Sequence, residues 1–476
     1  MAKQDGITVK KDENFSEWYT QVILKADLID YSKVSGCLVF KPNSYSLWEE
    51  AQSYFDKKIK KDGVKNVYFP LLIPEKLLTK ESEHIEGFSP EVAWVTHTGD
   101  TKLSERLAIR PTSETIMYDS YSKWIRSWKD LPLRYNQWCS VVRWEFKNPV
   151  PFLRTREFLW QEGHTVFATQ EESKKESHKI LEFYTDLFEK LYAVPMLKGM
   201  KSEKEKFAGA DYSLSVETIL PNGKAIQGAT SHGLGQNFSK PFNIKFLDKN
   251  EKSQYAWPNS WGFSTRSLGI MLAVHGDEKG IVLPPKIAPN KIVIVPILFT
   301  KTKDEVLKVS KELAKTLKKY IPIHDDREDY SAGWKFNEWE LKGIPIRIEL
   351  GPKDIEKKHV VLVRRDTNEK KFVKMSDLDK EISSTLTDIQ NNLFDKAKLF
   401  LDNSIGEADS ISNLKKLVND KKIGKVNWCG SVECEGNIKE KTGAKSLNSE
   451  FNKVGKGKCF ACESNSKFVT YFGKSY

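Results

Sequence analysis

The sequence predicts an α+β fold, an antiparallel sheet with helices, followed by a compact α/β unit and a small α/β C-terminal unit. Three observations carry this. Through residue 284, strand patterns are interleaved with long helical patterns instead of alternating regularly with them. Between 291 and 364, strands and helices do alternate. Between the two, "GIVLPPKIAPNKIVIVPI" breaks the apolar runs with Pro284, Pro285 and Pro289, which marks a boundary. The expected units are 1–284, 285–388 and 389–476.

In the first unit the periodicity predicts helices over 44–60 and 113–128 and strands over 64–70, 137–146 and 158–167, with the strands mutually antiparallel. The second unit reads strand 291–297, helix 303–320, strand 322–325, helix 333–342, strand 345–349 and strand 359–364, a mostly parallel sheet. Val306, Val309, Leu313 and Leu317 give its first helix an apolar stripe opposite a lysine-rich face. "KMSD" at 374–377 reads as a strand end followed by a helix cap. From about 389 the pattern is one amphipathic helix and then a cysteine-bearing tail.

The 476 residues correspond to about three domains. A hydrophobic fraction of 39% with 11% aromatics suffices for packed cores and argues against disorder. Apolar runs are too short for a bilayer span and the N-terminus lacks a signal-peptide core, so a soluble, cytoplasmic protein without a membrane partner is expected. The net charge of +11 favours a polyanionic partner without identifying one.

One stretch combines apolar residues with charge: "FLRTREFLWQEGH", 152–164. As a strand it places Arg154, Arg156, Phe158, Trp160, Glu162 and His164 on one face. A face of cations, aromatics and acids suits a ligand that is anionic at one end and aromatic at the other. It also suits an exposed, charged strand edge. The preceding "QWCSVVRWEF" puts Val141, Arg143 and Glu145 on one face, so a hairpin would gather both arginines and both acids into one cleft.

Arg-x-Glu on one strand, a loop, then Arg-x-x-x-Phe on the next resembles motif 2 of the class II aminoacyl-tRNA synthetases. The 44–70 helix and strand ending in Pro70 resembles motif 1, and "WGFSTRSLGIMLAVHGD" with Arg266 resembles motif 3. "RPTSETIMY", "KFAGADYS", "QGATSHGLGQNF", "ELKGIPIRIELGPKD" and the terminal "YFGKSY" extend the resemblance to the prolyl-tRNA synthetases of eukaryotic and archaeal type over nearly the whole chain.

The resemblance implies a class II catalytic domain, an α/β anticodon-binding domain and a small zinc-binding-like C-terminal domain. It implies ATP-dependent ligation of L-proline to tRNA(Pro), with Mg2+ accompanying ATP, and a homodimer through motif 1. Arg143 and Arg266 would be catalytic, Arg143 gripping the α-phosphate and substrate carboxylate with its planar fork. ATP would meet Glu145, Arg154, Thr155, Phe158, Gln227, Thr230 and Ser264 as well. The proline pocket would use Thr112, Glu114, Arg143, Trp160, Glu162, His164, Phe207 and His232. Taken singly, Trp160, His164 and His232 could equally be core residues, and Glu114 an acid at a helix start. Glu340, Arg347 and Lys353 would read the anticodon guanines, whose O6 and N7 acceptors suit arginine and lysine. Arg347 could otherwise pair with Glu340 or Glu349.

A synthetase-like RNA binder would be expected to lose the phosphate and adenine contacts, and all are retained. A threonine or serine enzyme fits the pocket stretches less well. Residues 164–261 are filled by pocket motifs, which leaves no room for a hydrolytic editing insertion. Cys37 and Cys139 stand alone, whereas Cys429-x4-Cys434 and Cys459-x2-Cys462 have metal-ligand spacing. Four thiolates suit a structural Zn2+, the alternative being four reduced thiols.

Overall fold

In the computed structural model, residues 6–84, 91–145 and 147–476 are described. Helix Pro42–Lys61 begins with proline in its first turn, where no backbone donor is lost, and ends on Lys58, Lys60 and Lys61, which complement the helix dipole. Leu47, Trp48, Ala51, Phe55 and Ile59 form its buried stripe. Phe55 stacks on Tyr184 at 5.2 Å and meets Phe263 edge-on at 5.1 Å, so this helix packs against the back of the central sheet.

That sheet has eleven strands among the described residues. Its first-unit part runs Leu197–Met200, Tyr212–Ile219, Ala225–Gly233, Trp257–Ser264, Glu157–Phe167, Leu133–Val142 and Lys65–Asn66. All of these neighbours are antiparallel except the last, since Lys65–Asn66 pairs parallel to Leu133–Val142, against expectation. Beyond Asn66 the chain leaves the sheet: Phe69 gives its amide to the Gln137 side chain, and Pro70 has none to give.

Register brings the cleft together. Gln137 lies opposite Glu162 and Cys139 opposite Trp160. On the other side Trp160, Glu162 and His164 face Ser264, Gly262 and Ser260. Thr230 and His232 pair in turn with Gly262 and Ser260, and Ser213 with His232. Alternation therefore places one residue in two from five strands on a single face.

The expected strand 137–146 is shifted to Leu133–Val142, and 158–167 is matched by Glu157–Phe167, so that the stretch 152–164 is strand only in its second part. The first ends at Val142, because Trp144 donates its amide to Glu91 instead of a strand partner; residue 146 lies outside the described residues. The second begins at Glu157. Pro151 is followed by Phe152 at φ 59°, and Val150 and Arg154 exchange backbone hydrogen bonds in a tight turn, so Arg154 and Arg156 are not on the Phe158 face. Arg156 instead lies over the Trp144 ring at 4.6 Å.

The second unit's five-stranded sheet is mixed, not mostly parallel. Helix-connected Ile323–His324, Ile292–Pro296 and Ile346–Leu350 pair in parallel, whereas His359–Arg364 and Lys370–Lys374, the strand whose end was expected at 374–377, pair antiparallel. The short segment between Leu350 and His359 cannot supply a full crossover. Lys374 closes the last strand and Asp377, at the N-cap position without a side-chain cap bond, precedes helix Leu378–Asn403, the amphipathic helix, which starts earlier than expected.

The tail is an ordered α/β layer. Ile405–Glu407, Ile423–Trp428, Phe468–Gly473 and Lys445–Val454 continue the central sheet, meeting it where Ser449 pairs with Met200. A Cβ on Gly199 would come within 2.2 Å of the Ser449 carbonyl oxygen, so only glycine permits that approach. Among the described residues, no helix is long and apolar enough to cross a membrane.

Candidate active site

The face assembled by register opens into a cavity of about 290 Å³. Thr112, Glu114, Arg143, Phe158, Trp160, Glu162, His164, Phe207, Gln227, Thr230, His232, Ser264 and Arg266 all line it, so most of the expected site residues converge. Gly262 sits between Thr230 and Glu162, and a Cβ there would press to 2.9 Å on the Gln161 carbonyl oxygen.

One end is acidic and enclosed. Helix Glu114–Trp124 starts at the cavity wall, with Ser113 as N-cap, and the Thr112 hydroxyl donates to Glu114. Glu162, fully buried, accepts from the Ser113 amide at 3.1 Å, the Ser113 hydroxyl, Gln137 Nε2 at 3.0 Å and His164 Nε2 at 3.0 Å. Burial opposes ionisation of Glu162, but its hydrogen bond and charge pairing with His164 and the donors Ser113 and Gln137 outweigh it and lower its pKa. For His164, burial again opposes charge, and Glu114 and Glu162 outweigh it, raising the pKa. His164 Nδ1 is buried without a hydrogen-bond partner.

His232 is the opposite case. Burial, then the positive charges of Lys201, His164 and Arg143, push its pKa down to about 3, so it is a neutral imidazole at physiological pH. Its Nδ1 meets the Ser213 hydroxyl at 2.7 Å, and that same hydroxyl accepts the Phe207 amide at 2.9 Å. Phe207 and His232 thereby form a wall with ring centroids 4.8 Å apart.

The other end is cationic and aromatic. Arg143 Nε donates to the Pro111 carbonyl at 2.9 Å, and its guanidinium lies 5.6 Å from the Phe158 ring and 5.3 Å from Trp160. Arg266, at the start of helix Arg266–His275, donates Nε to the Leu153 carbonyl at 3.0 Å. Burial first, then Arg143 and Arg154, bring its pKa down to about 10, against the opposing charge of Glu217. Arg154 is exposed and borders an adjoining cavity of about 180 Å³ shared with Gln227 and Arg266. Glu145 is exposed on a turn and Thr155 is buried, both off the main cavity.

Sequence reasoning passed over Ser113, Gln137, Ser213 and Lys201. Lys201 lines the cavity and pairs with Glu217 at 2.5 Å. Gln137 had a legible signal, since it has the same strand parity as Cys139 and faces Glu162. Ser113 lay inside "RPTSETIMY" but was overshadowed by its charged neighbour.

In the second unit Arg347 is buried, donating to Glu340 at 2.9 Å and to Glu349 at 2.9 and 3.1 Å, with Phe336 4.3 Å from its guanidinium. Lys353 is exposed on helix Pro352–Glu356. All six cysteines are free thiols. The sulfurs of Cys429, Cys434, Cys459 and Cys462 lie within 4.8 Å of one another, with Cys434–Cys459 at 3.9 Å and Cys429–Cys462 at 3.6 Å. A tetrahedral zinc with Zn–S of about 2.3 Å requires sulfurs about 3.8 Å apart, so this donor set fits.

Three family profiles match the chain: tRNA synthetase class II core domain (G, H, P, S and T) over 94–275, anticodon binding domain over 291–385, and prolyl-tRNA synthetase, C-terminal, over 411–476. The proline--tRNA ligase 2 of Bacillus thuringiensis subsp. konkukian is 50% identical, with 100% of both chains covered. The proline--tRNA ligase of Natranaerobius thermophilus is 47% identical, again over 100% of both. The crystal structure of prolyl-tRNA synthetase from Cryptosporidium parvum, complexed with halofuginone and AMPPNP, superposes with a TM-score of 0.94 at 46% identity, covering 100% of this chain and 98% of that one.

Proposed function

The chain belongs to the prolyl-tRNA synthetase family of class II synthetases, and we propose that it is a proline--tRNA ligase working through the cleft just described. Proline and ATP form prolyl-adenylate and pyrophosphate, and the prolyl group then passes to the 3′ end of tRNA(Pro). The observation that carries this is a single cavity with buried acid at one end and converging arginines beside aromatic rings at the other.

Glu114, with Thr112, receives the secondary ammonium; Trp160, Phe207 and neutral His232 enclose the apolar ring; His164 closes the polar end. Arg143, between the two ends, orients the proline carboxylate and the α-phosphate. A carboxylate oxygen attacks the α-phosphorus, the new P–O bond forms, and pyrophosphate leaves in line. Charge developing on the phosphate oxygens meets Arg143 and Arg266, donors already held in place by backbone carbonyls. In the second step a terminal ribose hydroxyl of the tRNA attacks the prolyl carbonyl and AMP departs. Phe158 supports adenine, with Gln227, Thr230 and Ser264 on the same wall; Arg154 takes the outer phosphates from the adjoining cavity, and Glu145 and Thr155 belong to the nucleotide side of the proposal. Mg2+, when bound with ATP, would offset the phosphate charge beside Arg143 and Arg266.

The division into 1–284, catalytic, 285–388, anticodon-binding, and 389–476, zinc-binding-like, belongs to the same proposal. So do anticodon reading by Glu340, Arg347 and Lys353, and a structural Zn2+ held by Cys429, Cys434, Cys459 and Cys462. A homodimer is supported by the exposed Tyr68, Leu71 and Leu72 that follow helix Pro42–Lys61, close to the exposed Trp124 that packs on Phe69. The cytoplasm, where ATP, tRNA and reduced thiols coexist, is the proposed site of action.

Amino-acid-dependent pyrophosphate exchange with each of the twenty amino acids tests the central reading. Proline is expected to support exchange well above the other nineteen, and strong exchange with a different amino acid alone would overturn it.

A further inference from the structure

We propose that Glu162, together with Ser113 and Gln137, is a positioning device for the amino-acid end of the cleft and makes no contact with the substrate ammonium. The inference rests on the functional reading above and assigns roles within the same site.

Glu162 has no acceptor capacity left. A carboxylate offers about four lone-pair sites. Here Oε1 takes the Ser113 hydroxyl and Gln137 Nε2, and Oε2 takes the Ser113 amide and His164 Nε2. The Cys139 thiol adds a fifth, weak donor at 3.4 Å from Oε1. A substrate ammonium would have to displace one of these inside a site with 1% residue exposure, leaving a buried donor orphaned.

What Glu162 grips is the root of the pocket. Ser113 is the N-cap of helix Glu114–Trp124 yet makes no side-chain cap bond, because its hydroxyl is turned to Glu162. Thr112 and Glu114, either side of it, are thereby aimed into the cavity. Gln137 extends the grip: its Nε2 also reaches the Ser113 hydroxyl at 3.1 Å, and its carbonyl oxygen accepts the Phe69 amide. Three segments far apart in sequence are tied at one carboxylate. On its remaining side Glu162 anchors His164 Nε2, which leaves Nδ1 as the orphaned, buried polar atom at the cavity wall, available to a ligand.

The test is a double-mutant cycle of Glu162→Gln and Gln137→Leu, with Ser113→Ala as a milder third variant, read by proline-dependent pyrophosphate exchange and by thermal unfolding. Gln137 is expected to touch no substrate, yet Gln137→Leu should raise the KM for proline roughly 10-fold or more while the KM for ATP stays within about twofold, the scale of a lost hydrogen bond to a buried charge. Ser113→Ala should shift the same constant in the same direction. The double variant should be little worse than Glu162→Gln alone. An unchanged proline KM in both Gln137→Leu and Ser113→Ala, or effects that multiply in the double variant, would overturn the proposal and make Glu162 a direct contact. Wild-type enzyme that activates another amino acid would refute the functional reading instead, and the coupling would then still be read from non-additive unfolding energies.

Discussion

The amino-acid end of the cleft and the Arg347 cluster of the second unit are both built from buried carboxylates and cations, but they stand in opposite states. In the cleft, the ionic network of Glu162 and His164 forms part of the wall and leaves open a cavity of about 290 Å³ that Glu114 and Arg143 also line. Around Arg347, the guanidinium is already spent on Glu340 and Glu349, and the adjoining cavity is only about 10 Å³. The first site is preformed; the second is closed on itself. A small ligand that must be activated gains from a rigid pocket, since ordering costs are met at folding. A nucleotide base at the second site would first have to exchange with a carboxylate, so part of its binding energy goes into opening the pair.

The comparison breaks first at Arg143. Replacing Arg143 by alanine should slow proline-dependent exchange by about 10² to 10³ fold, the scale for one lost transition-state donor, with little change in melting temperature. Arg143→Lys should fail nearly as badly, because an ammonium cannot reproduce the fork. Near-wild-type exchange in either variant would place the phosphate contact elsewhere.

Arg347→Ala should show the reverse, a loss of stability instead of catalysis. It removes the main partner of buried Glu349 and half-buried Glu340, at a cost of roughly 3 kcal/mol, the low end for a broken buried pair because Lys279 and Lys370 still reach Glu340 and Glu349. Chemical denaturation would measure this, and unchanged stability would mean that the cluster is not closed in solution. Glu340→Gln is the gentler probe: tRNA charging should weaken by about 1 to 3 kcal/mol in kcat/KM while proline-dependent exchange is unaffected. Equal losses in both assays would mean that the change had reached the catalytic unit.

The smallest effect concerns pH. His232, and His275 with a pKa brought down to about 4 chiefly by burial, are neutral in the folded protein. Their folded pKa values lie below the usual histidine value of about 6.5, so the unfolded chain binds more protons in between. Stability should therefore fall as pH drops from 7 towards 4. Melting curves of wild type and His275→Gln over that range should diverge, with the variant less acid-sensitive; parallel curves would exclude His275 as a contributor.

The segment after helix Arg266–His275 ties the two regions together. Arg365 donates both terminal nitrogens to Asp277, at 2.7 and 2.6 Å, and its Nε to the Glu340 carbonyl at 2.8 Å. Asp277 follows helix Arg266–His275 by two residues, so the closed cluster is seated directly on the end of the helix that carries Arg266.

Local pattern was enough for the parts of this protein that depend on neighbours in sequence. Alternation put Phe158, Trp160, Glu162 and His164 on one face, and helical spacing located helix Pro42–Lys61 to within a turn. The spacing of the cysteine pairs marked four thiols whose sulfurs do converge, and motif order identified the family. Tertiary structure decided what sequence distance conceals. Ser113 and Gln137 reach Glu162 from 49 and 25 residues away, through strand register that no local period contains. A positive φ at Phe152 and the prolines around it turned Arg154 and Arg156 off the expected face. The tail joined the central sheet because Gly199 allows the Ser449 backbone to approach. Periodicity reports which face a residue occupies, but which residues meet there is set by long-range pairing, whose energy appears only once the chain has closed.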